Sequence, residues 1–269
     1  MDETVPPFRL VAGAAGSPVL LHVPHAARRI PGDARRGIVL DDAALERELD
    51  HITDAHTDAL AARAAQAAAP GRTPWRFVNG LSRLVVDPER FPDEREEMLA
   101  AGMGAVYTRT THRAELRRPD HDPGPLLDAY YLPYAAAMTR AVDDRLAAAG
   151  RCVVVDVHSY PTRALPYELH GDGPRPPVCL GTDAFHTPPE LLAAAEAAFA
   201  RFGGTGVDSP FGGAYVPLKH YGREAGVQAL MIEIRRDQYL PAEPGGPPGP
   251  GLARLAEALT TLVDAIGSA

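Results

Sequence analysis

Short apolar runs rich in β-branched residues recur along this chain: SPVLLHV (17–23), WRFVN (75–79), RLVVD (83–87), CVVVDV (152–157), PVCL (177–180) and ALMIEI (229–234). Runs of this kind become interior strands, buried on both faces. Between them lie stretches rich in Ala, Leu, Glu and Arg, at 41–69, 93–102, 126–149, 188–202 and 250–267, whose starts carry Asp, Pro or Thr as helix-entry signals. The alternation predicts a three-layer α/β fold. A chain of 269 residues, 45% hydrophobic and 23% charged, can bury one sizeable core, so 1–269 is expected to be a single domain. The stretch PAEPGGPPGPG (241–251) has the composition of a linker, but too few residues follow it for a second core. It is expected to be a surface loop before the last helix.

Composition also excludes partners. A formal charge of −8 and the absence of any dense Lys/Arg run argue against nucleic acid, so an anionic ligand must be met by a few local arginines. The first residues, MDETVPPFRL, lack a basic region followed by an apolar one, and no apolar segment is long enough to cross a bilayer. No membrane association and a cytoplasmic location are therefore expected. Cys152 and Cys179 sit in apolar, strand-like surroundings and are expected to be buried free thiols.

In α/β folds ligands collect beyond the carboxyl ends of the strands, so polar residues directly after apolar runs are the first functional candidates. They are His25, the DPER segment beginning at Asp87, Asp156 with His158, and Glu233. His22 and His25, three apart, point to opposite faces of a strand, and Pro24 stops the ladder between them, so they are not a ligand pair. Asp156, two residues before His158, can share its face and orient its imidazole. Glu233, inside the apolar LMIEIRR, is expensive to ionise there unless it is paired, with Arg235 as the obvious partner, or functional.

The segments PHAARRIP, SRLVVDPERFPDE, GAVYTRT, DVHSYP, PFGGAYVPLKHYG and IEIRRDQYL occur in the order and approximate spacing of the N-formylglutamate amidohydrolase family, over about residues 18–240. The chain resembles that family, which is similar in fold to the zinc carboxypeptidases. The resemblance implies an α/β/α domain with a mixed central sheet of zinc-carboxypeptidase type and zinc held by His25, His158 and a third ligand. Three residues after His25, where zinc carboxypeptidases carry a glutamate, stands Arg28, which cannot bind a cation. The resemblance points instead to TDAHTD (53–58), with Asp54 favoured and His56 and Asp58 as alternatives. Helical periodicity opposes Asp54: in one unbroken helix over 41–69 the inward stripe is Leu45, Leu49, Ile52, His56 and Leu60. A break with Thr53-Asp54 as an N-cap would free the Asp54 carboxylate to face the site.

By the same resemblance Glu233 is the general base and then acid, acting beside zinc that acidifies water. Guanidinium forks suit both carboxylates and developing oxyanions, so Arg83 and Arg90 are candidates for either; the resemblance places Arg90 where relatives hold a substrate carboxylate, and Arg83 is expected nearer the oxyanion. Asp87 of the same segment is counted with the substrate-binding residues. Glu89 stands where relatives carry Asn, a departure that bears on substrate identity. The Gly-rich stretch 211–223, with Tyr215, His220 and Tyr221, has the composition of a lid, and Tyr215 and His220 are expected to touch substrate. The expected activity is zinc-dependent hydrolysis of a small N-acylated acidic amino acid, N-formyl-L-glutamate by name, which would place the chain in histidine degradation. The alternatives are a carboxypeptidase-like peptidase, a biosynthetic amidase with another acyl group, and a metal- or ligand-binding protein on a hydrolase scaffold. Glu233 beside both histidines counts against the last.

Overall fold

The computed structural model describes residues 6–169, 171–241 and 246–268. Its centre is a seven-stranded sheet in the order β1-β3-β2-β4-β7-β5-β6, formed by β1 (Phe8–Val11), β2 (Val19–Val23), β3 (Trp75–Asn79), β4 (Cys152–Tyr160), β5 (Val178–Gly181), β6 (Thr205–Val207) and β7 (Val227–Arg235). The four central strands β3, β2, β4 and β7 run parallel, while β1 joins β3 and β5 joins β7 antiparallel, so the sheet is mixed. The helices are α1 (Gly32–Arg35), α2 (Asp42–Ile52), α3 (Thr57–Ala67), α4 (Gly124–Leu126), α5 (Leu132–Ala149), α6 (Pro189–Phe199) and α7 (Gly251–Ile266).

Strand alternation divides the core in two. Val19, Leu21, Val153, Val155, Val157, Leu230 and Ile232 pack against Leu60 of α3, Leu191 and Phe199 of α6, and Leu255, Leu259 and Leu262 of α7. Leu20, Phe77, Cys152, Val154 and Ala229 face the other way, toward Tyr134, Met138 and Val142 of α5. The result is three layers. By the same alternation His22, Asp156, His158 and Glu233 all lie on the α5 side of the sheet, the last two at the carboxyl ends of adjacent strands, in register with each other. The described residues contain no helix long and apolar enough to cross a membrane. Cys152 and Cys179 are buried and free.

Several expectations need correction. The apolar run 83–87 is a series of turns, not a strand. Its residues are buried all the same: Leu84 packs with Leu45, Leu49, Met103 and Tyr107, and Val85 and Val86 with Leu81, Leu126 and Tyr131. Apolar runs register burial, and here two satellite clusters beyond the sheet provide it without ladder pairing. The stretch 41–69 is two helices, because Thr53 leaves the helical region (ψ 134°) and His56 is left-handed (φ 66°). Of 93–102 only Glu97–Ala101 is helical, as a 3-10 turn. The short edge strands β1 and β6 have too little apolar pattern to be expected. Of the 241–251 loop, residues 242–245 lie outside the described residues.

Candidate active site

The parallel strands deliver their following loops to one end of the sheet, where a cavity of about 580 Å³ opens, a size typical of small-molecule sites. His25, directly after β2 and Pro24, is buried at its edge. Its backbone carbonyl accepts from the Asp54 amide at 3.0 Å, which draws the break between α2 and α3 against the strand end. The break is therefore where the sequence reading placed it, although the residue capping α3 is His56 rather than Thr53 or Asp54.

Three ligand atoms converge there. His25 Nδ1 is 3.2 Å from His158 Nδ1, His158 Nδ1 is 3.1 Å from Asp54 Oδ2, and His25 Nδ1 is 3.6 Å from the same oxygen. A tetrahedral ion with bonds of about 2.0–2.1 Å has ligand–ligand edges of about 3.3 Å. The triad fits such an ion, and two imidazoles with one carboxylate suit zinc. His56 and Asp58, the alternative third ligands, turn elsewhere: His56 Nε2 meets Gly246 O at 2.8 Å, and Asp58 accepts from the Ala59 amide. Arg28 points outward to Glu46 and Asp50.

The other nitrogen of each histidine faces a buried carboxylate; at His25 the contact is a hydrogen bond, the arrangement that fixes a ligand's ring and tautomer, and at His158 it is a close contact outside hydrogen-bond geometry. His25 Nε2 lies 2.9 Å from Asp87 Oδ1, and His158 Nε2 lies 3.1 Å from Asp156 Oδ2. The Asp87 carboxylate also accepts from Tyr107 OH at 2.5 Å and from Arg83 Nη2 at 2.7 Å. This corrects the substrate-binding expectation for Asp87, which is fully buried and committed to His25 and Arg83. Burial opposes ionisation of Asp87, yet Arg83 and His25 hold its carboxyl well below the usual range. At Asp54 burial is likewise overcome by His158 and His25, and the carboxyl is lowered. Burial disfavours the charged imidazole of His25, but Asp87 and Glu89 outweigh it and raise the group.

Glu233 lines the cavity, and its Oε2 makes no hydrogen bond. Burial pushes its carboxyl up to about 8, with His158 pulling the other way and Asp54 adding to the rise. Arg235 is not its partner; that guanidinium reaches Asp237. Arg83 and Arg90 both line the cavity. Arg83 donates Nε to Tyr107 OH at 2.8 Å, besides its bond to Asp87. Arg90 makes only two ion contacts, each 3.6 Å long, to Asp87 and Glu96. Tyr215 lines the cavity with its ring 4.7 Å from that of His22. His220 does not: it is buried and faces Asp143 of α5 at 2.9 Å, which also holds Lys219. The expectation that His220 touches substrate is corrected accordingly; Asp143 uses it to tie the 211–223 segment to the domain.

Three residues escaped the sequence reading. Arg236, buried after β7, donates to the His51 carbonyl at 2.8 Å and to Asp54 Oδ1 at 3.3 Å, fixing the Asp54 carboxylate beside the two histidines. Tyr107 supports Asp87. Glu89, read only as a departure from a family pattern, is packed against both histidines, with Oε1 3.3 Å from His158 Nε2 and Oε2 3.4 Å from His25 Nε2. Burial, then Asp156, raise its carboxyl. A second arginine after Glu233 was the visible signal for Arg236; nothing in the sequence marked the other two positions.

Residues 17–240 match the family model of N-formylglutamate amidohydrolase. The crystal structure of the N-formylglutamate amidohydrolase of Ralstonia eutropha JMP134 is similar at 25% identity and a TM-score of 0.79, covering 98% of each chain. A gene product of Agrobacterium tumefaciens shares the fold at 20% identity and a TM-score of 0.68, over 97% of this chain and 93% of its own. No curated protein matches.

Proposed function

Since the chain belongs to the N-formylglutamate amidohydrolase family, we propose that it is a zinc-dependent hydrolase that cleaves N-formyl-L-glutamate to L-glutamate and formate. The observation that carries this reading is the placement at one cavity of the His25–Asp54–His158 triad, the buried carboxyl of Glu233 and the weakly engaged guanidinium of Arg90. When bound, the ion would supply Lewis acidity toward the scissile carbonyl and the attacking water.

The chain's own residues do the rest. Glu233 takes a proton from the attacking water and returns it to the leaving nitrogen; its raised affinity for a proton suits the second half of that cycle. Arg83, held by Asp87 and Tyr107 through Nη2 and Nε, keeps Nη1 for the oxyanion that develops on the acyl oxygen. Arg90 makes no side-chain hydrogen bond among the described residues, so a substrate carboxylate can take its fork without displacing a partner. Such local cations are required because a chain of net charge −8 repels a dianionic substrate at long range.

The test is elemental analysis of the purified protein followed by turnover of N-formyl-L-glutamate before and after chelation. About one triad-bound zinc per chain, lost in Asp54→Ala, and activity that disappears on chelation and returns with zinc are expected. Turnover of short peptides or of acetyl and succinyl amino acids, with none of any formyl amino acid, would overturn the substrate assignment.

A further inference from the structure

On the side of His158 turned away from the triad lies a second convergence of ligand atoms. Among the described residues nine buried side-chain nitrogens and oxygens make no hydrogen bond, and four of these belong to one cluster: His22 Nδ1, Glu89 Oε1, Asp156 Oδ1 and His158 Nε2. Unpartnered buried polar atoms are individually rare, and a concentration of them marks a missing ion or water.

The charges point to a cation. Glu89 and Asp156 contact no arginine or lysine among the described residues; their ion-pair partners are histidines alone. Their side chains are only 14% and 2% exposed. Two neighbouring carboxylates, one buried and one largely withdrawn from water, need positive charge beside them. His22, fully buried in the middle of β2 and paired in register with Asp156, presents a nitrogen donor to the same point. Its other nitrogen, Nε2, lies 2.6 Å from Tyr134 OH. A proton on Nε2 directed at that hydroxyl leaves the Nδ1 lone pair facing the carboxylates, the tautomer a metal ligand needs.

The spacing fits as well. His22 Nδ1 is 2.8 Å from Asp156 Oδ1 and 3.6 Å from Glu89 Oε1, and each of the three residues offers a ligand atom within 4.8 Å of those of the other two. Those two distances bracket the edge of about 3.3 Å around a tetrahedral ion with bonds near 2.0 Å. The short contact to Asp156 is not in hydrogen-bond geometry, so the pair does not satisfy itself.

We propose that His22 Nδ1, Glu89 Oε1 and Asp156 Oδ1 form a second divalent-cation site, for an ion of the zinc class that accepts mixed nitrogen and oxygen ligands. Asp156 then joins the two sites, one oxygen on the rear cation and the other on His158 Nε2, so that filling the rear site fixes the orientation of a front ligand. This goes beyond the hydrolase reading and does not depend on its substrate.

Chelated protein reloaded with excess Zn²⁺, desalted and analysed for metal should hold two equivalents per folded chain. Glu89→Gln and His22→Gln should each hold one, and Asp54→Ala should retain the rear equivalent, with circular dichroism and thermal melting confirming that each variant is folded. If His22→Gln does not fold, anomalous scattering from a zinc-soaked wild-type crystal decides: a peak between His22, Glu89 and Asp156 is expected, and a single peak at the front triad overturns the site. One equivalent in the wild type that is lost in Asp54→Ala but kept in Glu89→Gln overturns the second site and leaves the hydrolase reading standing. The reverse pattern, one equivalent lost in Glu89→Gln and kept in Asp54→Ala, supports the rear site and removes the front one. Two equivalents that persist in Glu89→Gln also overturn it.

Discussion

His158 and Glu233 stand on adjacent parallel strands, in register with each other, while Asp54, Arg83, Asp87 and Arg90 come from segments without regular structure. The two halves of the cavity are held by different forces. On the strand side the backbone ladder and two packed faces position the side chains, and no ion pair is needed to keep Glu233 in place. On the loop side each group is held by named polar contacts: Asp54 by His25 O and Arg236, and Asp87 by Arg83 and Tyr107. Glu233 can thus be changed singly. A loop-borne group is one knot in a net, and pulling it moves the others.

The largest effect expected is on the strand side. Glu233→Gln should lower kcat/KM about 100- to 10,000-fold while the protein stays folded and keeps its metal, measured by steady-state kinetics and elemental analysis. A variant that unfolds while keeping its specific activity would place Glu233 with the structural groups and erase the contrast. The metal-free protein provides a second readout. With its carboxyl raised from 4.5 to about 8, Glu233 stays protonated in the folded state across a range where the unfolded chain has released the proton. Its contribution to stability is therefore present below about pH 4.5 and is lost as pH rises toward 8. Urea midpoints of the metal-free wild type should fall across that window, and the fall should flatten in Glu233→Gln.

The loop side can be broken from a distance. Arg117 is 1% exposed and donates to the carbonyls of Tyr107 and Leu84, each at 2.6 Å, with no carboxylate partner among the described residues. Burial lowers its pKa to about 10, yet it remains charged at neutral pH. Arg117→Met should cost about 2–4 kcal/mol, because it removes two charge-assisted bonds and orphans two buried carbonyls. It should also reduce activity, by loosening Arg83, Asp87 and Arg90 together, although it touches none of them. Chemical denaturation beside kinetics checks both; an unchanged midpoint would mean that the loop is held by its apolar clusters alone.

Arg90→Lys should raise KM for N-formyl-L-glutamate about 10- to 100-fold, the loss of one charge-assisted fork, and much less for an analogue whose side-chain carboxylate is an amide. Equal losses on both substrates would refute the carboxylate clamp. The smallest effect belongs to Arg28, three residues after His25, where the zinc-carboxypeptidase pattern would carry a glutamate. Its side chain is 40% exposed and pairs with Glu46 and Asp50 at the surface. Arg28→Ala should leave the metal content unchanged and cost less than about 1 kcal/mol, as read from melting and elemental analysis.

The strand half is legible in the local pattern of residues. Hydrophobic runs of β2, β4 and β7, interrupted at a fixed phase by His22, Asp156, His158 and Glu233, settle which elements form and which face those residues share, because side-chain period and burial are local properties of a strand. Family-like segments singled out His25 and His158 as the candidate metal ligands. The loop half takes shape only where distant segments meet. An apolar run at 83–87 reads as a strand whether its burial comes from a sheet or from satellite clusters around Leu84 and Val85. Helical periodicity through 53–56 favours His56 until the contact of Asp54 with the His25 carbonyl and Arg236 breaks the helix. Whether Asp87 and His220 face substrate or support a neighbour likewise depends on partners far away in the chain, Asp87 meeting His25 across 62 residues and His220 meeting Asp143 across 77. Local pattern records which side chains avoid water; it carries no record of which distant group a polar side chain will meet, since that pairing exists only once the sheet has brought the loops to one end.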